Sequence, residues 1–149
     1  MYAFADKLLE VTERHADEIA AQWCKAVRSN PHTPWFHVQK SESCTNFALD
    51  FYRNFRVVYF DEKPYKKLEK YFADYAEESF RKGVPMEEAI YALIMMRRHI
   101  WLFADFQALF VTALDAHRAV ETLNRTIRVF DQGIFVIIRR YGEMQKAKT

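Results

Sequence analysis

Residues that break helices are scarce in this chain, and their scarcity limits the fold more than any other sequence feature. The 149 residues include three glycines and four prolines. An all-β domain needs a turn roughly every 8–12 residues, and so few turn formers cannot supply them. Apolar residues instead recur every three or four positions along nearly the whole chain, which is the spacing of helices that bury one face. The sequence therefore predicts an all-α fold.

The first helix boundaries fall in the N-terminal third of the chain. Apolar positions from Phe4 onward predict one helix that ends at Asn30, because the residue before a proline disfavours the helical conformation. The loop that follows is predicted to hold one helical turn at residues 34–37. A second helix begins at Ser41 or Ser43, either of which is a good N-cap residue.

Two further boundaries fall in the middle of the chain. Asp61 is predicted to cap the third helix, with Pro64 in its first turn. Gly83 is predicted to end that helix in the left-handed conformation that glycine tolerates best. Pro85 then fits the first turn of a fourth helix, which is predicted to run to about Phe110.

The last helix, predicted to begin near Asp115, carries apolar residues that alternate by four and three positions over about three and a half heptads. Its end is apolar nearly all round, so it must be buried on two sides, and a second copy of the chain is the simplest partner. We therefore expect a homodimer. The predicted interface comprises Val120, Leu123, Ile127, Phe130, Ile134, Ile137 and Tyr141.

Charge and cysteine usage exclude several classes of protein. The formal net charge of +2 is spread along the chain without a basic arm, which disfavours nucleic-acid binding. Cys24 and Cys44 match no metal spacing and are predicted to be reduced core thiols. Asp6, Lys7 and Glu10 interrupt any signal peptide, and the apolar runs are too short to span a bilayer. We expect a cytoplasmic protein without a membrane segment.

The usual enzyme motifs are missing from the sequence. There is no phosphate-binding G-x-x-x-x-G-K, no G-x-G-x-x-G, no H-E-x-x-H and no G-x-S-x-G. With only three glycines, a loop that cradles a phosphate is hard to build. The sequence therefore predicts a non-enzymatic domain with no catalytic residue, no metal and no cofactor.

The fourth predicted helix contains two arginines and a histidine in an apolar run. At 100° per residue, Arg98 falls opposite the core face, while Arg97 and His99 fall on its two separate borders. Arg97 beside Trp101 either lays its stem on apolar neighbours or holds an anionic ligand. His99 is either a semi-buried structural histidine or a haem ligand in a chain of globin size.

A cavity between the helices is a further hypothesis. Pockets between bundled helices are mostly apolar, and this chain is rich in aromatic residues. A small apolar or anionic ligand would lie against Arg97, Trp101, Trp23, Phe51 and Tyr75.

Several of these features together resemble one family. Trp23 late in the first helix, the junction RKGVPMEEAI, the run MRRHIW and the closing IIRRY are similar to the N-terminal sensory domain of RsbR-type stress-response regulators. The resemblance covers nearly the whole chain. It implies a globin-like bundle without haem, dimerisation through long helices, and a signal passed to a C-terminal output domain, often a STAS domain. Because no output domain follows here, we expect either a sensory fragment or a stand-alone relative that binds a protein partner.

These observations combine into one expected architecture. A globin-like helical bundle of about five to six helices, with a long C-terminal helix, forms a single sensory or interaction domain over residues 1–149. Its core is expected at about 6–141, with a frayed tail at 142–149. The expected function is signal transduction without catalysis, and a haem-binding gas sensor using His99 is the alternative.

Overall fold

A computed structural model describes residues 3–106 and 113–148 of the chain. Within these ranges the chain forms seven helices and no strand, which confirms the predicted all-α bundle with a long C-terminal helix. The helices are α1 (Ala3–Arg14), α2 (Ala16–Val27), α3 (Pro34–His37), α4 (Ser41–Tyr59), α5 (Lys66–Arg81), α6 (Met86–Phe106) and α7 (Ala113–Lys148).

The helix predicted to run from Phe4 to Asn30 is two helices in the structure. This is one reason that the described residues form seven helices where about five to six were predicted. His15 has φ −107° and ψ 22°, so the chain bends there between α1 and α2. The backbone hydrogen bonds continue across the bend, from the His15 amide to Val11 and from the Ile19 amide to His15. The apolar spacing predicted one helix because neither proline nor glycine marks this bend.

The junction between α5 and α6 follows the prediction closely. Gly83 has a φ of +86°, and the amide of Val84 donates to the carbonyl of Ser79 at 2.9 Å. This is the hydrogen bond that closes a helix with a left-handed glycine. The amide of Ala89 then donates to the carbonyl of Pro85 at 3.0 Å as α6 begins.

Three predicted boundaries are wrong in detail. Lys40, not a serine, occupies the N-cap position of α4, and its side chain makes no capping hydrogen bond. Tyr65, with a left-handed φ of 58°, occupies that position before α5. The carboxylate of Asp61 nevertheless accepts the amide of Leu68 at 2.9 Å, so it satisfies a first-turn donor from further away. Helix α7 is helical through residues 142–148, which were predicted to fray. The predicted end of α6 near residue 110 lies outside the described residues.

The core is formed by aromatic side chains that link α2, α4, α5 and α7. Helix α2 packs chiefly on α4, and α5 packs chiefly on α7. Phe51 of α4 lies at the centre, with its ring centroid 5.6 Å from that of Phe130 on α7 and 6.4 Å from that of Phe72 on α5. Helix α7 is therefore both the longest element and a wall of the core.

Helices α5 and α7 approach each other closely at Gly133. A Cβ atom at this position would lie 2.6 Å from the ring of Phe72, which is fully buried and cannot move aside cheaply. The hydrogen of glycine is what lets the two helices meet here. Gly142, nine residues later on the same helix, has nothing within 4 Å of a Cβ atom.

Replacing each glycine by alanine should therefore change stability in opposite directions. Gly133→Ala should lower the free energy of unfolding by about 1 kcal/mol or more, since overpacking costs about 1–3 kcal/mol and the gain in helix propensity is only about 1 kcal/mol. Gly142→Ala should be neutral or stabilising, because it gains propensity without a clash. Urea unfolding followed by circular dichroism measures both. Equal or greater stability of Gly133→Ala would show that α5 and α7 are not in contact at this point.

Candidate functional site

The residues of the predicted ligand pocket have packing roles in the structure. Trp23 is fully buried, its indole N–H donates to the carbonyl of Ala92 at 2.9 Å, and its ring packs against Phe36 and Phe47. Phe51 is equally buried at the centre of the core. Both side chains are packed within the core.

The other members of that predicted pocket also have roles in packing. Tyr75 is buried, and its hydroxyl donates to the carbonyl of Ala89 at 2.8 Å, although one edge of its ring reaches a surface groove. Arg97 is half-buried, with its guanidinium carbon 5.7 Å from the ring centroid of Phe130. Trp101 is half-buried against the core. The geometry thus favours the interpretation of Arg97 as a side chain laid over apolar neighbours.

His99 is half-buried on α6. Its Nδ1 atom lies 2.8 Å from the carbonyl oxygen of Met95, one turn earlier on the same helix. Surface openings lie between α2 and α4, between α4 and α5, between α3 and α4, and between α5 and α7. Neither His99 nor Arg97 lines any of these openings. No observation therefore favours the haem alternative. Arg98 is exposed, as its position on the helix predicts.

The predicted dimer interface divides into a buried half and an exposed half. Phe130 and Ile137 have no exposed surface, and Tyr141 is 1% exposed, with its hydroxyl donating to the carbonyl of Val84 at 2.8 Å. These three side chains fill the core of their own chain and are not available to a partner. Their assignment to the interface has to be corrected, because other helices of the same chain, chiefly α5, pack on that side of α7.

The exposed half belongs to an apolar stripe along α7. We define the apolar stripe as Val120, Leu123, Ile127, Ile134, Phe135 and Ile138. Five of its members are between 37% and 58% exposed, and Ile134 is half-buried. At 1.5 Å per residue the stripe is about 27 Å long. Phe135 and Ile138 were outside the predicted interface, although the sequence showed that this end of the helix is apolar on several sides.

The charges beside the apolar stripe have both signs. Asp131 is exposed within it, and Arg128 and Arg139 are exposed along its edge. The guanidinium carbon of Arg139 lies 5.3 Å from the ring centroid of Phe135. A flank of mixed sign can meet a copy of itself without a net repulsion, whereas a flank of one sign could not.

Neither a membrane-spanning helix nor a cluster of metal ligands is found among the described residues. In the part of the chain that the structure describes, no helix is long and apolar enough to cross a membrane. Among the same residues, no group of three or more His, Cys, Asp or Glu side chains could hold a metal ion.

Comparison of the chain with protein-family models, with curated proteins and with solved structures gives no match. The resemblance to RsbR-type sensory domains therefore stays a prediction, and the site has to be interpreted from its own geometry.

Proposed function

We propose that this chain is a non-enzymatic sensory or signal-transducing helical domain that pairs with a second copy through the apolar stripe of α7. The paired helices would pass a signal to an output partner or a fused domain, as in the RsbR-type domains that the sequence resembles. The observation that carries the proposal is the exposure of five large apolar side chains along one face of α7. Contiguous exposed apolar surface of this kind usually marks an interaction site.

A second copy is the occupant that the stripe suits best. The stripe lies on one helix and is flanked by both signs of charge, with Asp131 able to meet Arg128 or Arg139 of a copy. An interface of this kind is self-complementary, as a two-fold dimer requires. Burial of the stripe in a pair would also remove a patch that would otherwise favour aggregation.

The packing of α7 supplies a route for the signal. Helix α7 contacts α5 most extensively and also α6, α1 and α4, while five side chains of the apolar stripe are exposed. Helix shifts of about 1–2 Å at an interface are a common form of switching. A rearrangement of α5 or α6 would therefore change the geometry of the paired α7 helices directly.

The experiment is a comparison of two charge insertions by light scattering coupled to size exclusion. Ile127→Glu places a carboxylate in the apolar stripe and should convert the dimer to a monomer, because an unpaired charge cannot be buried at low cost. Val57→Glu is the matched control, since Val57 is 53% exposed on α4, outside the stripe. It should leave the mass unchanged. Dissociation by Val57→Glu, or none by Ile127→Glu, would refute the assignment of the interface.

A further inference from the structure

A groove of about 590 Å³ lies between α4 and α5, away from the apolar stripe. We call it the α4–α5 groove. Its aromatic wall consists of Phe47, Tyr71 and Tyr75, with the ring centroids of Phe47 and Tyr75 5.4 Å apart. A neighbouring opening of about 430 Å³ at α3/α4 shares Ser43, Phe47 and Lys82 with it, so the space extends beyond one compartment. The described fold gives this space no structural role.

The lining of the groove carries more negative than positive charge. Asp50, Asp74 and Glu78 line it together with Lys82, so its four charged side chains sum to −2, from three carboxylates and one ammonium. Asp50 accepts a hydrogen bond from Asn54 and lies near enough to Tyr71 to raise its pKa, but it forms no ion pair with a described cation. Asp74 pairs with Lys70 at 2.8 Å. The acidic side therefore retains a carboxylate that no cation of the described chain neutralises.

An ammonium group already lies in this groove, and it shows which chemistry the walls accept. The Nζ atom of Lys82 lies 5.5 Å from the ring centroid of Phe47 and 3.0 Å from a carboxylate oxygen of Glu78. An aromatic face on one side and a carboxylate on the other is the environment that binds organic ammonium ions. Burial, with the charges of Asp50 and Glu78, also raises the pKa of Tyr71, so its hydroxyl stays neutral beside these carboxylates.

A simple metal ion does not suit this arrangement. The carboxylates of the groove do not converge, since no group of three or more potential ligands among the described residues could hold a metal. Asp50 of α4 and Glu78 of α5 line the groove from two different helices, and both carboxylates lie near Tyr71. Two carboxylates on separate helices suit two ammonium groups joined by a short alkyl chain, with the chain lying on the aromatic wall.

We propose that the α4–α5 groove binds a linear aliphatic polyamine, with ammonium groups at Asp50 and Glu78 and the alkyl chain against Phe47 and Tyr71. The ligand displaces the ammonium of Lys82 from Glu78. This site does not depend on the proposed pairing of α7. The site lies partly on α5, the helix that packs chiefly on α7. Binding of the ligand can therefore shift α7 and its apolar stripe.

Titration calorimetry with spermidine at low ionic strength tests the site. Wild-type protein should show saturable binding at one site. Asp50→Asn should weaken it about tenfold or more, since a charged hydrogen-bonded partner is lost. Lys82→Met should tighten binding, because it removes the competing ammonium. Glu69→Gln is the matched control: Glu69 is an exposed carboxylate on α5 that does not line the groove. It should bind spermidine as wild type does.

Three results would overturn the proposal. They are the absence of saturable binding, equal weakening by Glu69→Gln and Asp50→Asn, and equal affinity for magnesium chloride, which would indicate a general attraction of cations. Circular dichroism checks that each variant is folded, and Glu78→Gln replaces Asp50→Asn if the latter is not. Because the mass of the protein is measured separately, failure of this site leaves the assignment of the dimer interface untouched.

Discussion

Between pH 10 and pH 12 the domain is expected to lose stability steeply, at up to about 5 kcal/mol per pH unit. Four tyrosines are responsible, because burial raises the pKa of Tyr52, Tyr71, Tyr75 and Tyr141, the last to about 12. Three of their hydroxyls donate to backbone carbonyls inside the bundle, at 2.8–2.9 Å. An ionised phenol could neither donate such a bond nor regain its hydration there.

The sign of this pH dependence follows from the number of protons that the folded and unfolded chains bind. Below about pH 10 these tyrosines are neutral in both states, so their contribution to stability is fully present. Above it the unfolded chain releases protons that the folded chain keeps, and stability falls as pH rises toward the folded pKa values. Each tyrosine contributes about 1.4 kcal/mol per pH unit, which gives the total for four. Burial also raises the pKa of the Cys44 thiol, which adds to the loss in the same direction.

Urea unfolding at closely spaced pH values measures this slope. Tyr52→Phe should reduce this slope by the contribution of one tyrosine. The double variant Tyr52→Phe with Tyr75→Phe should reduce it by the contribution of two. Each substitution also removes one buried hydrogen bond, which lowers the free energy of unfolding at pH 7 by about 1 kcal/mol but does not affect the slope. A stability that stays constant to pH 11 would mean that these phenols are accessible to water.

Replacing Trp23 by alanine is expected to remove a large part of the stability of the domain. The side chain is fully buried between α2, α3, α4 and α6, and truncations of this size cost about 3–5 kcal/mol. Natural domains have a net stability of only about 5–15 kcal/mol. Trp23→Ala should therefore shift the urea midpoint far more than any surface change.

Two further variants separate packing from ligand binding at this position. Trp23→Phe keeps most of the apolar surface and should recover much of the stability, although the donor to the Ala92 carbonyl is lost. Trp35→Ala should cost less than Trp23→Ala, because Trp35 is only half-buried. A wild-type midpoint for Trp23→Ala would restore the hypothesis that Trp23 lines a cavity.

The sequence predicts the helices better than it predicts the role of their faces. The left-handed Gly83 and the turn at residues 34–37 carry local signals, and both were predicted. The bend at His15 carries none, because it depends on contacts with other elements, such as the ring of Phe103, which lies 5.0 Å away. Tertiary contacts of this kind cannot be seen in the spacing of apolar residues.

On α7, too, the spacing of apolar residues does not reveal which of them the fold buries. A seven-residue repeat drifts by about 20° per heptad around a straight helix, so one repeat can cross from the core face to the exposed face. Along one line of this repeat, the exposed fraction falls from 56% at Val120 and 37% at Ile127 to 1% at Tyr141. The α4–α5 groove carried no sequence signal, because Asp50 and Glu78 are distant in the chain and meet only when α4 packs beside α5.

The central claim, that α7 is paired with α7 of a second copy, is tested most directly by sedimentation equilibrium of the wild-type protein over a wide range of micromolar concentrations. Mass does not depend on shape in this measurement, so the long α7 helix cannot mislead it. We predict a species of twice the 17.8 kDa chain mass, dissociating only on dilution. A single species of 17.8 kDa at the highest concentration would contradict the account.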